Sequence, residues 1–109
     1  MALQRTETYT TTGTKGSWNC DPSITPFNMN LICVVSDACN YKLQYSYDTL
    51  DSPTATDSDA TWIDSNDIPA GTTTTAEANF ATPIARVRVV IASLTGNLKV
   101  TMLQGMSVN

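Results

Sequence analysis

The chain has 109 residues, a formal net charge of -4 and no histidine. This length predicts a single domain, and the lack of histidine excludes imidazole-based catalysis and histidine-ligated metal sites within these residues. Only 15% of the residues are charged, against about 25% in a typical soluble domain, so neutral polar side chains must cover much of the surface. The acidic balance disfavours nonspecific binding to nucleic acid or to an anionic membrane.

The N-terminal segment alternates threonine with Arg5, Glu7 and Tyr9, a pattern typical of an extended but weakly amphipathic strand. It lacks the apolar run of a secretory signal, and no window approaches the roughly 18 apolar residues that span a membrane. We therefore predict a soluble chain whose residues 1–17 form an extended N-terminal arm. We expect a partner, rather than the rest of the domain, to order this arm.

Two alternating runs follow a predicted turn at Gly13–Gly16. The first, 27–35, has one continuous apolar face and becomes apolar on both faces at Ile32 and Val34, which is typical of a central strand. The second, 41–48, alternates tyrosine and leucine with polar residues. Since Ser36–Asn40 has the composition of a short turn, we predict that the two runs form a hairpin.

The second half of the chain begins with a polar loop at Thr49–Asp59. The pattern then predicts strands at 60–63, 76–80, 85–91 and 98–103, with turns or breaks at 64–67 and 68–71. Thr95–Asn97 contains a glycine-asparagine pair between the last two strands, which indicates a tight hairpin.

No segment has a convincing helical period, and turn signals recur about every 8–12 residues. The fold prediction is therefore an all-β, antiparallel two-layer β-sandwich, Ig-like or jelly-roll-like, of six to eight strands. We assign it to 18–105, with a short C-terminal tail at 106–109. The predicted core has few apolar side chains for a domain of this length, so an oligomer that covers exposed strand edges would stabilise the fold.

The three cysteines argue against a disulfide framework, because their number is odd, and no Cys-x-x-Cys pair occurs. Cys33 lies among aliphatic residues and is predicted to be a buried apolar residue. Cys20 and Cys39 stand beside turn residues, where they face either solvent or each other. A zinc site is not expected, since a fourth ligand is missing.

Acidic residues concentrate in the segment 48–67, which raises the possibility of a calcium site. Counted from Asp57, the loop position that requires glycine holds Trp62, and the position that requires a bidentate glutamate holds Ile68, so the EF-hand pattern fails. A looser ion site stays open, although aspartate is also favoured in turns. We expect no cofactor, because no phosphate-binding loop or nucleophile elbow is present.

Aromatic and arginine residues are the remaining candidates for contact with a partner. Trp18 and Trp62 both lie beside loops, and large aromatic side chains often anchor interfaces. Arg86 and Arg88 share the outward face of one strand and would pair with acids of this chain or of a partner. The candidate interface residues, including those of the arm, are Arg5, Glu7, Tyr9, Trp18, Trp62, Arg86 and Arg88.

From Trp18 onward, the ordered set of segments resembles small β-sandwich virion proteins of tailed bacteriophages, of the capsid decoration or head–tail accessory type. The segments that carry the resemblance are Trp18–Pro22, Thr25–Phe27, Asn40–Asp48, Ala60–Trp62, Ala78–Arg88 and Gly96–Gly105. The resemblance implies a structural role in the virion, with assembly in the cytoplasm of the host bacterium, and it brings no catalytic residue.

The leading hypothesis is thus a non-enzymatic decoration or cement protein that binds the capsid exterior as a homo-oligomer. Its partners would be the major capsid protein or other virion proteins, without nucleic acid or membrane. Two alternatives stay open: a tail, neck or fibre-base accessory protein, and a carbohydrate-binding module that uses a tryptophan or the tyrosines.

Overall fold

The computed structural model describes residues 2–23, 27–49 and 55–105. Within them one 3₁₀ turn covers Asp57–Asp59, and the seven strands are β1 (Ala2–Tyr9), β2 (Gly13–Thr14), β3 (Trp18–Asn19), β4 (Met29–Ser46), β5 (Ile63–Asp64), β6 (Ala76–Phe80) and β7 (Arg86–Gly105). Every strand pair is antiparallel, and all seven strands belong to one sheet. The prediction of an all-β antiparallel fold is confirmed. The predicted tail at 106–109 lies outside the described residues.

A ribbon of two long strands forms the centre of the sheet. β4 and β7 pair from Met29 opposite Gln104 to Ser46 opposite Arg86. A straight strand of the length of β4, 18 residues, would extend roughly 60 Å. The longest dimension of the molecule is 43 Å, so the ribbon bends.

The ribbon bends at a corner where Asp37 lies opposite Gly96. Both residues have a positive φ, 74° for Asp37 and 103° for Gly96, a region that side chains other than glycine rarely adopt. The sequence predicted chain-reversing turns at Ser36–Asn40 and Thr95–Asn97, and this prediction was wrong. Each strand continues through its corner, and the run 27–35 pairs, from Met29 onward, with β7 rather than with 41–48.

A β-bulge next to the corner keeps the apolar side chains of β7 on one face. Asn40 pairs with Ser93 and Tyr41 with Ile91, which leaves Ala92 as an extra residue in β7. One extra residue exchanges the two faces of a strand. The buried residues of β7 are accordingly odd-numbered before the bulge and even-numbered after it: Val87, Val89 and Ile91, then Leu98, Val100 and Met102.

The bend divides the sheet into two layers with a shared core. The first layer contains β1, the C-terminal part of β7, the N-terminal part of β4, and β6; the second contains β2, β3, β5 and the remaining parts of β4 and β7. Leu31 and Val100 of the first layer meet Leu43 and Val89 of the second around a cavity of only about 10 Å³. The two layers therefore pack closely, and a single folded sheet supplies both.

The N-terminal segment belongs to this sheet. β1 pairs with β7 over eight residues, from Ala2 opposite Gly105 to Tyr9 opposite Leu98, and β2 continues along the same strand. Residues 1–17 were predicted to be an arm outside the sandwich, ordered by a partner. The pairing corrects that interpretation: the segment is extended as expected, but its backbone is ordered by β7 of its own chain.

Candidate functional site

Trp18, a predicted contact residue, is part of the core and is 3% exposed. Its indole Nε1 donates a hydrogen bond to the hydroxyl of Tyr9 at 3.1 Å, and the Arg5 guanidinium lies 4.7 Å from the centre of its ring. Burial raises the pKa of the Tyr9 hydroxyl above its ordinary value. These contacts tie β1 to β3 within the chain, whereas Glu7 on the same strand is exposed.

Arg86 and Arg88 lie on the outer face of the second layer, where both make contacts within the chain. Arg88 Nε donates to Gln44 Oε1 at 2.8 Å, and its guanidinium lies 4.1 Å from the centre of the Trp62 ring. Arg86 Nε donates to Ser17 Oγ at 3.0 Å. Stacking of a guanidinium on an indole is a favourable cation–π arrangement. The two arginines therefore hold neighbouring segments of this chain against the sheet.

The segment 55–64 covers this outer face, which we call the covered face. The Asp57 carboxylate accepts hydrogen bonds from Ser17 N at 2.9 Å and Ser17 Oγ at 2.6 Å, and Trp62 Nε1 donates to the Asp57 carbonyl oxygen at 2.8 Å. Burial alone would raise the pKa of Asp57, but the Ser17 hydrogen bonds and the nearby arginines lower it below its ordinary value. Asp57 therefore stays ionised and fixes the segment in place.

The outer face of the first layer is open, and we call it the open face. Its apolar centre consists of Ile32, Val34 and Leu103, which are 38%, 40% and 44% exposed. Polar side chains from β1, β4, β6 and β7 surround it, and all are exposed or half-buried: Gln4, Thr6, Thr8, Asn30, Glu77, Asn79, Lys99 and Thr101. No segment of the described residues lies over this face.

Hydrogen bonds between neutral side chains hold the polar surround of the open face. Thr6 Oγ1 and Thr101 Oγ1 are 3.2 Å apart, and Asn79 Nδ2 donates to Asn30 Oδ1 at 2.7 Å. Neutral hydroxyl and amide groups are less costly to remove from water than charged ones. The open face is thus a surface poor in charge, with an apolar centre and a neutral polar surround.

This surface was not among the candidate sites predicted from the sequence. Ile32 and Val34 make both faces of the run 27–35 apolar, which predicted a central strand. β4 is central in the plane of the sheet, between β7 and β6, yet one of its faces meets solvent. In the sequence, Asn30, Ile32 and Val34 alternate with Leu31 and Cys33. This pattern fits a strand with one solvent-exposed face, but it equally fits a strand that is covered by a second layer.

Several aspartates in the described parts of 48–67 serve as local hydrogen-bond acceptors, whereas 50–54 of this predicted acidic segment lie outside the described residues. Asp48 accepts from Thr61 N at 2.7 Å, Asp59 from Thr56 N at 2.7 Å, and Asp64 from Gln44 Nε2 at 2.8 Å. Asp64 also pairs with Lys42 at 3.2 Å. Within the described residues, no group of three or more histidine, cysteine or acidic side chains is placed to hold a metal ion.

All three cysteines are free and buried. Cys33 is fully buried in the core, as predicted, whereas Cys20 and Cys39 are 8% and 4% exposed and do not face solvent. Cys20 packs with its Sγ 4.0 Å from Met102 Sδ. Burial raises the pKa of the Cys20 and Cys33 thiols from 9.0 to about 12, so both stay protonated at neutral pH.

This burial predicts a loss of stability in alkaline solution. Above pH 9.0 unfolded thiols release their protons while the folded thiols retain theirs to about 12, so stability falls as pH rises, by up to about 1.4 kcal/mol per pH unit for each thiol. Urea unfolding measured as a function of pH should reveal this slope. Replacing Cys20 and Cys33 with alanine should reduce it but not abolish it, because burial also raises the pKa values of Cys39, Tyr9 and Tyr41, and an unchanged slope in the double variant would contradict the assignment.

Comparisons with protein-family models, with curated proteins and with solved structures found no match to this chain. No helix within the described residues has the length and apolar character needed to cross a membrane.

Proposed function

We propose that this chain is a non-enzymatic structural protein of a tailed-bacteriophage virion, a decoration protein that binds the capsid exterior and stabilises contacts between capsomers. The sequence resemblance from Trp18 onward suggests the setting. The single structural observation that supports a docking role is the contrast between the two outer faces. One is covered by the chain's own segment 55–64, and the other presents Ile32, Val34 and Leu103 to solvent.

The partner that we propose for the open face is the major capsid protein. The apolar centre would supply the driving force, because burial of apolar surface contributes roughly 25 cal/mol per Å². The surround carries only Lys99 and Glu77 as charged groups, so little charge would have to be desolvated or paired on docking. Surfaces of this kind have an apolar core with a polar rim, as protein interfaces commonly do.

We further propose that copies of the chain associate through β1. This strand is at the edge of the sheet, with β7 as its neighbour on one side. An edge strand leaves backbone donors and acceptors available for another strand, and antiparallel pairing of β1 with β1 of a second copy would produce a symmetric dimer. Docking through the open face would remain possible in such a dimer, since the face is perpendicular to the edge.

The open face is tested by the substitution Ile32→Lys, with Ile63→Lys as the matched control. The two isoleucines are 38% and 37% exposed, but Ile63 lies on β5 in the second layer. Co-sedimentation with expanded capsids that lack the protein would measure binding. Ile32→Lys should weaken it by about tenfold or more, which corresponds to at least ~1.4 kcal/mol, and Ile63→Lys should bind like the unmodified chain. Equal binding by both variants, or no binding by the unmodified chain, would overturn the proposal.

A further inference from the structure

A second surface feature, separate from the open face, is a pocket of about 200 Å³ at one edge of the sandwich. It lies where the end of β4, the end of β6 and the turn at 65–67 meet. Its walls and rim include Tyr45, Tyr47, Phe80, Asn66, Asp67 and Thr82. None of these residues is among the interface residues predicted from the sequence, and the proposed docking of the open face does not involve the pocket.

Three aromatic rings form the apolar wall of the pocket. Tyr45 packs edge-on against Phe80 with ring centroids 5.4 Å apart, and against Tyr47 with centroids 5.9 Å apart at 90°. Tyr47 is 58% exposed, although aromatic side chains usually bury most of their surface. The pocket therefore presents an aromatic ring to solvent, held in place by a second ring that packs on the core.

The polar side of the pocket is positioned by the turn at 65–67. Ser65 is buried and its N–H donates to the Leu43 carbonyl at 2.9 Å, while Ser65 Oγ accepts from Asp67 N at 3.2 Å. Asp67 Oδ2 accepts from Asn79 N at 3.2 Å. Among the described residues, Asp67 Oδ1, the Asn66 amide and the two tyrosine hydroxyls make no hydrogen bond, so these groups can face a ligand.

We propose that this pocket binds a neutral saccharide, one sugar ring at a time. A pyranose ring has an apolar C–H face, which would pack on the exposed Tyr47 ring, and hydroxyl groups, which would donate to the Asp67 carboxylate and exchange hydrogen bonds with Asn66. The pocket lining is more polar than apolar, which suits a ligand rich in hydroxyl groups, and the aromatic rings supply the apolar contact for one face of the sugar.

Size and charge restrict the ligand further. The volume of about 200 Å³ is below the roughly 300–1,000 Å³ of pockets that enclose drug-sized ligands, so it suits a single ring, free or at the end of a glycan. The Asp67 carboxylate and the net charge of -4 repel phosphate and sulfate groups. A neutral sugar satisfies both conditions.

The test is a titration of the isotopically labelled full chain with glucose, galactose, mannose and N-acetylglucosamine, each followed by amide chemical shifts. At least one sugar should shift resonances of 45–47, 65–67 and 80–84 with millimolar affinity, together with the Asn79 amide that donates to Asp67, while Ile32, Val34 and Leu103 of the open face stay unchanged. Tyr47→Ala and Asp67→Asn should each weaken that binding about tenfold or more. Both sites are exposed, and Asp67→Asn retains an oxygen that can accept from Asn79 N.

Glu77→Gln is the matched control, because it also removes an exposed carboxylate but lies on β6 at the open face. It should bind the sugar like the unmodified chain. The proposal would be overturned by an absence of shifts with all four sugars, by shifts confined to residues away from the pocket, or by Tyr47→Ala and Asp67→Asn variants that bind the sugar as tightly as the unmodified chain. These outcomes are independent of capsid binding, since that assay reports on Ile32 and the pocket lining does not include the apolar centre of the open face.

Discussion

Replacing Gly96 with alanine is expected to destabilise the fold by about 3–5 kcal/mol, a large part of the roughly 5–15 kcal/mol that keeps a domain folded. A Cβ at this position would overlap the Ser36 carbonyl oxygen and lie 2.7 Å from Asp37 Cβ. Gly96 also has a φ of 103°, and side chains at such backbone angles cost about 1–3 kcal/mol. The Ser36 backbone belongs to the central ribbon, so it cannot move without disturbing the corner that joins the two layers.

The control for this substitution is Gly16→Ala. A Cβ on Gly16 would meet no atom within 4 Å, and its φ lies outside the left-handed region, so its stability should change by less than about 1 kcal/mol. At the other side of the corner, Asp37→Gly should be neutral or stabilising, because the φ of 74° suits glycine. Urea unfolding of the three variants measures all three effects. A Gly96→Ala protein as stable as Gly16→Ala would contradict the described corner.

Deleting residues 1–10 is expected to abolish cooperative folding of the isolated chain. The deletion removes β1, which pairs with β7 over eight residues, and each lost hydrogen bond contributes about 0.5–1.5 kcal/mol net. It also removes the Tyr9 hydroxyl, the acceptor for the buried Trp18 indole. Together these losses approach the whole stability of a small domain.

Circular dichroism and thermal unfolding of the truncated chain would measure this loss, and a synthetic peptide of 1–10 added in trans should restore structure in part. Tyr9→Phe separates the two contributions: it keeps β1 and should lose only about 1–3 kcal/mol, the cost of one unsatisfied buried donor. If the truncated chain unfolded cooperatively at nearly the same temperature as the full chain, β1 would be an accessory arm after all.

The alternation of apolar residues was sufficient to predict most of the extended segments and much of the core, although the strand predicted at 60–63 is observed only as β5 at Ile63–Asp64. Met29, Leu31, Cys33, Val87 and Val89 were expected to share inward faces, and all are buried. The strand at 76–80 was also confirmed. These features depend on the period of the side chains along a strand, which is a local property of the sequence.

The two corner segments were misinterpreted because turn-forming residues report backbone angles rather than the direction of the chain. Asp37 and Gly96 do adopt positive φ values, as the composition indicated. Whether such residues reverse a chain or bend a continuous strand depends on the partner strand. Here the corner of β4 at Asp37 lies opposite the corner of β7 at Gly96, in a ribbon that pairs distant parts of the sequence. A local sequence pattern does not show which distant strand a segment pairs with.

The N-terminal strand was misassigned for a related reason. Arg5 and Glu7 occupy its inward face, which makes the strand weakly amphipathic and typical of a segment outside a core. At the edge of the sheet, however, a long charged side chain can lie over an aromatic ring, as Arg5 does over Trp18. The sequence indicates that such a strand is an edge; it does not indicate which chain supplies its neighbour.

The candidate contact residues illustrate the limit for functional sites. Trp18, Trp62, Arg86 and Arg88 were chosen as residue types that often mediate contacts, and they do mediate contacts, but within the chain. The position of 55–64 across the covered face determines that these residues are not available to a partner. This position depends on contacts between residues far apart in the sequence. Once one outer face is covered in this way, the surface left for a partner is the other one.

The most direct test of the proposed docking role is density for the intact virion at a resolution that separates β-strands. We expect copies of the chain on the outer surface of the capsid, with Ile32, Val34 and Leu103 facing the major capsid protein and the covered face directed away from it. Copies that leave these three side chains in solvent, or that occur only on the tail, would contradict the proposal.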